Sequence, residues 1–273
     1  MTVRPRLGAV ELTLRDATRP LLVLGPSLGT SVAALWSDVA GLLGADLDVV
    51  GWDLPGHGTA PSPTPGELDG LTVGDLATAV LGVVERAQAR RGDSGGPFWY
   101  AGVSVGGAVG QRLLLDAPGR VLGAALICTA TRFGEPTAWA ERADLVQRAG
   151  TPTQVEAAAG RWFAPEFLDR APEVALRLLA DLQTADRFGY AAVCRALGGH
   201  DLRGRLGVVG VPVVAIAGAA DRATKPAQLA EIAQAIPGAR FHVLDGAAHL
   251  VPAERPQEVA ALVRELVAGW VAA

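Results

Sequence analysis

Short hydrophobic runs recur along the chain, separated by segments whose hydrophobic residues are spaced three or four positions apart. An uninterrupted run of about four to eight apolar residues is typical of a strand that a parallel sheet buries on both faces. The pattern predicts such buried strands at residues 21–24, 47–52 and 100–103, and further strands at residues 121–130, 211–218 and 240–244. Residues 10–15 alternate between apolar and polar, which predicts an edge strand with one solvated face.

Helices are predicted between these strands. Residues 71–91 carry apolar side chains at helical spacing and end in arginines followed by Gly92, which indicates a helix that connects two parallel strands. Further helices are expected at residues 107–115, 225–236 and 256–270. Alternating strands and helices favour an α/β fold, in which helices flank a mostly parallel central sheet on both faces.

The alternation is interrupted between residues 131 and 205, where helical patterns follow one another without a convincing strand. We interpret residues 131–205 as a helical cap domain inserted into a core domain made of residues 1–130 and 206–273. The inserted segment is rich in aromatic residues, namely Phe133, Trp139, Trp162, Phe163, Phe167 and Phe188.

Candidate chemistry is centred on Ser104, in the motif Gly102-Val103-Ser104-Val105-Gly106 at the end of a predicted strand. A serine between a strand and a helix can occupy a sharp, strained turn, and flanking glycines let neighbouring backbone approach closely. The turn presents the hydroxyl at the carboxyl edge of the sheet, where the N-terminus of the next helix favours negative charge. Ser104 is therefore predicted to be a nucleophile, although a glycine-rich turn with an incidental serine has the same local sequence.

An acid and a base follow Ser104 along the chain, in the order serine, aspartate, histidine that one class of catalytic triad has. Asp221 comes just after one predicted strand, and His249 comes just after the next. Since the carboxyl ends of parallel strands share one edge of a sheet, the three side chains are expected to meet there. Taken singly, Asp221 would be a helix N-cap and His249 a loop histidine. Together with Ser104 they predict a catalytic triad, and Asp245 is the next candidate for the acid.

Two backbone N–H groups are predicted to form an oxyanion hole. One belongs to Val105, the residue after the nucleophile, and the other to Leu28, in the loop after the first buried strand. The alternative for residues 26–30 is an ordinary connecting turn.

Composition narrows the classes of function. The 273-residue chain is 50% hydrophobic, carries a net charge of −4 and has no basic run, so a nucleic-acid partner is not expected. No signal-peptide pattern follows the N-terminal arginines and no apolar run has the length of a membrane span, which predicts a cytoplasmic protein without a membrane partner. Cys128 and Cys194 belong to no C-x-x-C motif or Cys/His cluster, so neither a disulfide nor a metal site is expected.

Several stretches resemble the 3-oxoadipate enol-lactonases of the α/β-hydrolase superfamily, and the likeness covers nearly the whole chain. Besides the serine motif, these stretches are residues 27–30, 129–134, 139–142, 161–165, 186–190 and 247–250. The resemblance implies an α/β-hydrolase fold and hydrolysis of 3-oxoadipate enol-lactone to 3-oxoadipate in aromatic catabolism, without a metal or organic cofactor. Fold alone does not determine the substrate. A general carboxylesterase, a cofactor-free perhydrolase or haloperoxidase, and a non-enzymatic ligand sensor are the alternatives.

An enol-lactone with an acetate arm needs a cation in its pocket, whereas an esterase for neutral esters would leave that pocket apolar. Arg132 is the first choice for the cation because it lies just beyond the predicted strand 121–130, and Trp139 is the first choice for an aromatic roof. The other candidates for substrate binding are Arg142, Arg161 and Trp162, with Arg222 and Lys225 in an adjoining loop. Any one of these arginines, taken alone, is more simply explained as a solvated surface charge.

Overall fold

The computed structural model describes residues 3–15 and 17–271, with side chains as far as residue 269. A seven-stranded sheet forms its centre, with the strand order β1-β3-β2-β4-β5-β6-β7. The strands are β1 (Gly8–Thr13), β2 (Leu21–Gly25), β3 (Asp48–Asp53), β4 (Phe98–Val103), β5 (Val121–Ile127), β6 (Val213–Gly218) and β7 (Arg240–Leu244). β1 pairs antiparallel with β3, and the other neighbouring strands pair in parallel.

Helices surround this sheet. In chain order they are α1 (Val32–Leu43), α2 (Val73–Arg91), α3 (Val105–Asp116), α4 (Pro136–Ala149), α5 (Val155–Trp162), α6 (Phe167–Arg170), α7 (Pro172–Thr184), α8 (Arg187–Gly198), α9 (Pro226–Ala235), α10 (Val251–Glu254) and α11 (Pro256–Val271). The five helices α4 to α8 follow one another between β5 and β6, inside the segment predicted to be helical. The predicted α/β architecture with a mostly parallel sheet is confirmed.

Burial explains why the hydrophobic runs predicted the strands. β2, β3, β4 and β6 are buried at every residue, because helices cover both faces of the sheet and leave no solvated side. Trp36, Trp52 and Trp99 are among the largest fully buried side chains of this core. β7, at the edge of the sheet, is half exposed.

The strand boundaries agree with the predicted ones to within two residues, except at the end of β5. β1 begins at Gly8, two residues before the predicted start at residue 10. β5 ends at Ile127 because the next residue, Cys128, has a positive φ of 44°, which is incompatible with extended backbone. The chain therefore leaves the sheet three residues earlier than the hydrophobic run suggested.

Several contacts join the helices α4 to α8 to the sheet and its loops. The backbone N–H of Asp186 donates to the Gly56 carbonyl (2.8 Å), and the N–H and hydroxyl of Ser31 both donate to Asp181 Oδ2 (2.8 and 2.6 Å). Arg132 and Asp201, at the two ends of the helical segment, form an isolated antiparallel bridge. None of the helices in the described part of the chain has both the length and the hydrophobicity of a membrane crossing.

Candidate active site

Ser104 occupies the sharp turn between β4 and α3. Its backbone is left-handed, with φ 56° and ψ −114°, a conformation that costs a non-glycine residue about 1–3 kcal/mol. The turn requires small neighbours: a Cβ on Gly102 would lie 2.4 Å from the Gly106 carbonyl, and a Cβ on Gly106 would lie 2.6 Å from the Pro26 carbonyl oxygen. The Tyr100 hydroxyl donates to the Gly106 carbonyl (2.7 Å) and braces the same turn. Sequence and packing thus hold the serine in a strained, fixed position.

His249 and Asp221 form a buried pair. His249 Nδ1 lies 2.8 Å from Asp221 Oδ2, and the two side chains are 4% and 0% exposed. A carboxylate partner places the proton on Nδ1, which leaves Nε2 as the acceptor for a proton from another group. This is the arrangement that a histidine base requires.

The loop between β6 and α9 positions the Asp221 carboxylate. The backbone N–H groups of Ala223 and Thr224 donate to Oδ1 (2.7 and 3.0 Å), and the Thr224 hydroxyl donates to Oδ2 (2.8 Å). Burial opposes ionisation, but the charge of His249 and the hydrogen bonds from His249 and Thr224 outweigh it, so the pKa of Asp221 lies below its usual value. Asp221 is therefore a carboxylate at neutral pH.

Removing the Thr224 hydroxyl tests this positioning. Thr224→Val keeps the shape of the side chain but deletes a hydrogen bond to a buried carboxylate, and kcat is expected to fall about tenfold. Thr224→Ser retains the hydroxyl and is the matched control, with kcat close to that of the natural protein. Steady-state hydrolysis of p-nitrophenyl acetate by the three proteins decides the point, and equal rates for all of them would contradict a role for this hydroxyl.

Ser104 and His249 open into a cavity of about 230 Å³ between the sheet edge and the helical segment. The loop after β2 and the segment between β5 and β6 complete its wall, which consists of Ser27, Leu28, Ser104, Phe133, Trp139, Arg142, Ala158, Arg161, Trp162, Tyr190, Arg222, Ala223, Thr224 and His249. The structure therefore brings together residues that are far apart in the sequence. Asp221 lies behind this wall and reaches it through His249.

The two predicted oxyanion donors lie beside the nucleophile. Val105 is the first residue of α3, so its N–H has no partner within the helix and faces the helix N-terminus. Leu28 lies in a turn that the Thr30 hydroxyl closes by donating to the Ser27 carbonyl (3.0 Å). The Gly106 N–H donates to the Pro26 carbonyl (3.0 Å), which joins this turn to the serine turn. The geometry is compatible with an oxyanion hole.

Three arginines line the cavity, and two of them, Arg142 and Arg161, lie near each other. The Arg142 guanidinium lies 4.6 Å from the centre of the Trp139 ring. Burial lowers the pKa of Arg161, and the nearby charge of Arg142 lowers it further. The ion pairs formed among the described side chains include neither Arg142 nor Arg161. Two neighbouring cations without an acidic partner favour an anionic ligand.

Arg132 was the first choice for the cation, but it does not line this cavity. It lies outside the wall and pairs with Glu135 (2.9 Å), which is largely exposed. The early end of β5 at Ile127 is the physical reason, because it carries Arg132 away from the sheet edge to its bridge with Asp201. Lys225 is also absent from the cavity wall, whereas Arg222 belongs to it.

Sequence reasoning missed Tyr190 and Thr224 as residues of the site. Tyr190 lies in the stretch 186–190 that carries part of the resemblance, but nothing local distinguishes it from a core tyrosine. Thr224 is only three positions from Asp221, and this spacing is typical of a side chain that caps a turn around a carboxylate.

One group of side chains in the described part of the chain has the spacing of metal ligands. It consists of Cys128, Asp221 and His249, whose ligand atoms lie within 4.8 Å of one another. Burial raises the pKa of the Cys128 thiol, and Asp221 and His249 are hydrogen-bonded to each other. A protonated thiol is a poor ligand, so the donor set fits a hydrogen-bond network better than a cation site.

Comparisons with known proteins bear on the family and the fold. The profile of the Alpha/beta hydrolase family matches residues 21–262. The chain is 32% identical to 3-oxoadipate enol-lactonase 2 of Acinetobacter baylyi over 246 residues, which are 90% of this chain and 87% of that one. It is 27% identical to 3-oxoadipate enol-lactonase 1 of the same organism over 88% of this chain and 85% of that one.

Solved structures show the same similarity. The enol-lactonase from Burkholderia xenovorans LB400 superposes with a TM-score of 0.87 at 30% identity, covering 96% of each chain. A hydrolase from Pseudomonas aeruginosa PA01 superposes with a TM-score of 0.84 at 31% identity, covering 96% of this chain and 93% of that one.

Proposed function

Because the chain belongs to the alpha/beta hydrolase family and is an ester or lactone hydrolase, we propose that it opens 3-oxoadipate enol-lactone to 3-oxoadipate. The observation that carries the proposal is that Arg142 and Arg161, which form no ion pair among the described side chains, line the cavity that contains Ser104 and His249. The lactone bears a carboxylate on its acetate arm as well as a reactive carbonyl, and this cavity contains both cations and a nucleophile. Residues 131–205 act in this proposal as the cap that brings the arginines to the site.

The first half of the reaction acylates the serine. Ser104 Oγ attacks the lactone carbonyl while His249 Nε2 takes its proton, and Asp221 stabilises the resulting imidazolium. The N–H groups of Leu28 and Val105 donate to the oxyanion. The ring C–O bond then breaks and the enol oxygen leaves, taking the proton back from His249.

The second half releases the product. The leaving enol remains tethered to the acyl group and can close the ring again until it becomes a ketone, so ketonisation makes the opening irreversible. His249 then takes a proton from water, the hydroxide attacks the acyl carbonyl, and Ser104 Oγ leaves with that proton. The products are 3-oxoadipate and free serine.

Comparing two substrates tests the proposal. We expect kcat/KM for 3-oxoadipate enol-lactone to exceed that for p-nitrophenyl acetate, a small neutral ester, by at least about two orders of magnitude, because only the lactone can pair with the arginines. A general carboxylesterase or a perhydrolase would use the same serine without this preference. Equal or higher efficiency on the neutral ester would therefore overturn the lactonase proposal, and no turnover of either would favour a ligand sensor.

Replacing Arg142 tests the role of the arginines in the cavity. Arg142→Ala is expected to lower kcat/KM for the anionic lactone about 10- to 100-fold, because it removes a charge-assisted contact in a partly buried site. Hydrolysis of p-nitrophenyl acetate should change little. The control is Arg132→Ala, which removes an arginine outside the cavity and should leave both rates unchanged. Equal losses on both substrates with Arg142→Ala would indicate general damage to the site instead.

A further inference from the structure

Glu254 is a buried carboxylate that the proposed reaction does not use. It ends the short helix α10, five residues after His249, and is 3% exposed. Both of its oxygens accept hydrogen bonds from backbone: Oε1 from the Ala248 N–H (2.8 Å) and Oε2 from the Ala164 N–H (2.8 Å). One side chain therefore bridges the loop that carries His249 and the cap segment that follows α5.

A second pair of hydrogen bonds joins the same two segments. The backbone N–H groups of His249 and Leu250 both donate to the Trp162 carbonyl, at 3.1 and 3.2 Å. Three consecutive amides, from Ala248 to Leu250, thus bond either to Glu254 or to the cap itself. Trp162 also contributes its side chain to the wall of the cavity.

The next peptide group, between Ala248 and His249, is held at both ends. The Cys128 thiol donates to its carbonyl oxygen, on Ala248 (3.5 Å), and a Cβ on Gly218 would lie 1.9 Å from that oxygen. Its N–H, on His249, is the one that donates to the Trp162 carbonyl, while Glu254 holds the preceding peptide group through the Ala248 N–H. With both peptide groups held, the backbone of His249 has little freedom to shift relative to Ser104.

We propose that Glu254 is a positioning residue that couples residues 162–164 of the cap to the loop that carries His249. The cap thereby keeps the His249 side chain correctly placed relative to Ser104. The inference rests on the catalytic role proposed for Ser104 and His249 but is independent of the lactone assignment. Cap residues then contribute to the rate through the backbone of His249, in addition to any contact with substrate.

The hydrogen bonds of Glu254 agree with a carboxylate in this place, because both of its oxygens accept from backbone N–H groups. Burial raises the pKa of Glu254 above its usual value, and the N–H groups of Ala164 and Ala248 and the charges of Arg170 and Arg255 offset only part of that rise. The Arg170 guanidinium also donates to the Glu254 carbonyl oxygen (3.2 Å). Hydrogen bonds from two N–H donors to one carboxylate are charge-assisted, and an amide in place of the carboxylate can accept from only one of these donors.

Glu254→Gln is the first test. The variant keeps the side-chain shape but turns an –NH₂ group toward one of the two backbone N–H donors. We expect kcat for p-nitrophenyl acetate, per active site titrated with phenylmethylsulfonyl fluoride, to fall about 10- to 100-fold with KM changed less than about threefold. Glu258→Gln, which changes an exposed glutamate four positions further along, is the matched control and should leave kcat unchanged.

Ala164→Pro tests the coupling from the side of the cap, without changing a charge. It removes the N–H that bonds to Glu254 Oε2, and residue 164 already precedes Pro165, where extended backbone is favoured. The variant is expected to lower kcat per titrated site in the same way, although Ala164 is not part of the cavity wall.

A spectroscopic readout separates positioning from general destabilisation. The proton shared by His249 Nδ1 and Asp221 is expected to give a far-downfield proton NMR resonance in the natural protein and in Glu258→Gln. In Glu254→Gln and Ala164→Pro this resonance should broaden or shift while the rest of the folded spectrum is retained. Unchanged kcat per site and an unchanged resonance in either variant would overturn the coupling.

The failure of the catalytic assignment is distinguishable from the failure of the coupling. If phenylmethylsulfonyl fluoride does not modify Ser104 in the natural protein and p-nitrophenyl acetate is not hydrolysed, the assignment of nucleophile and base fails, and the proposal for Glu254 falls with it. If the natural protein is active on p-nitrophenyl acetate but not on the lactone, only the lactonase assignment fails.

Discussion

Replacement of Ser104 by alanine is expected to lower kcat by about four to six orders of magnitude and to leave the fold intact. The members of a nucleophile–base pair act as a unit, so that His249 has no proton to take once the hydroxyl is gone. Only binding in the cavity and the oxyanion donors would then contribute to the rate. Steady-state hydrolysis of the lactone and of p-nitrophenyl acetate measures the loss, and circular dichroism checks the fold.

Ser62→Ala is a suitable control for this experiment, because Ser62 is exposed in the loop before α2. Its rates should equal those of the natural protein. If Ser104→Ala kept activity within about tenfold of the natural protein, the hydroxyl of Ser104 would not be the nucleophile.

Asp221→Asn is expected to lower kcat by about 10⁴-fold. The asparagine amide can donate to His249 Nδ1, which would stabilise the tautomer with its proton on Nε2. The nitrogen that faces Ser104 would then already carry a proton and could not accept one. The new amide would also lose the charge that stabilises the imidazolium during attack. The shape of the site should change little, since the backbone N–H groups of Ala223 and Thr224 still have an oxygen to bond.

Asp245→Asn is the matched control for Asp221→Asn. Asp245 was the next candidate for the acid, but the structure places it in an exposed turn, whereas Asp221 lies 2.8 Å from the histidine. We expect kcat of Asp245→Asn to remain that of the natural protein. Full activity of Asp221→Asn together with loss in Asp245→Asn would reverse the two assignments.

The sequence by itself determined the fold and the place of the serine. A strand that helices cover on both faces must be apolar at every position, and β2 and β4 consequently stand out as continuous hydrophobic runs. The turn at Ser104 is also a local matter, because its positive φ and the close approach of Gly102 and Gly106 impose small residues at fixed offsets.

The order of residues along the chain allowed the prediction to extend from the serine to the acid and the base. Parallel strands end at the same edge of a sheet, so polar residues that follow successive strands are brought together by topology. The proximity of Asp221 and His249, 28 positions apart in the sequence, needed no knowledge of side-chain packing. Whether the three residues perform catalysis is a prediction that the variants above test.

Tertiary structure alone decided which cations face the cavity. Arg132 was favoured because it follows a strand, but the positive φ of Cys128 ends that strand early and turns the chain away. Arg142 lies on α4 and Arg161 on α5, and the face that a helix presents depends on how it packs against its neighbours. An arginine at a binding site and one on the surface have the same local sequence pattern, so no periodicity separates them.

The hydrogen bonds of Glu254 could not be predicted from the sequence either. Its partners are the backbone N–H groups of Ala248, six positions away, and Ala164, ninety positions away. Every residue except proline has such a group, so the identity of the partner residue carries no signal. Local backbone geometry and the apolar pattern are therefore encoded in the sequence, whereas contacts between the cap and the sheet edge arise only when the chain is packed.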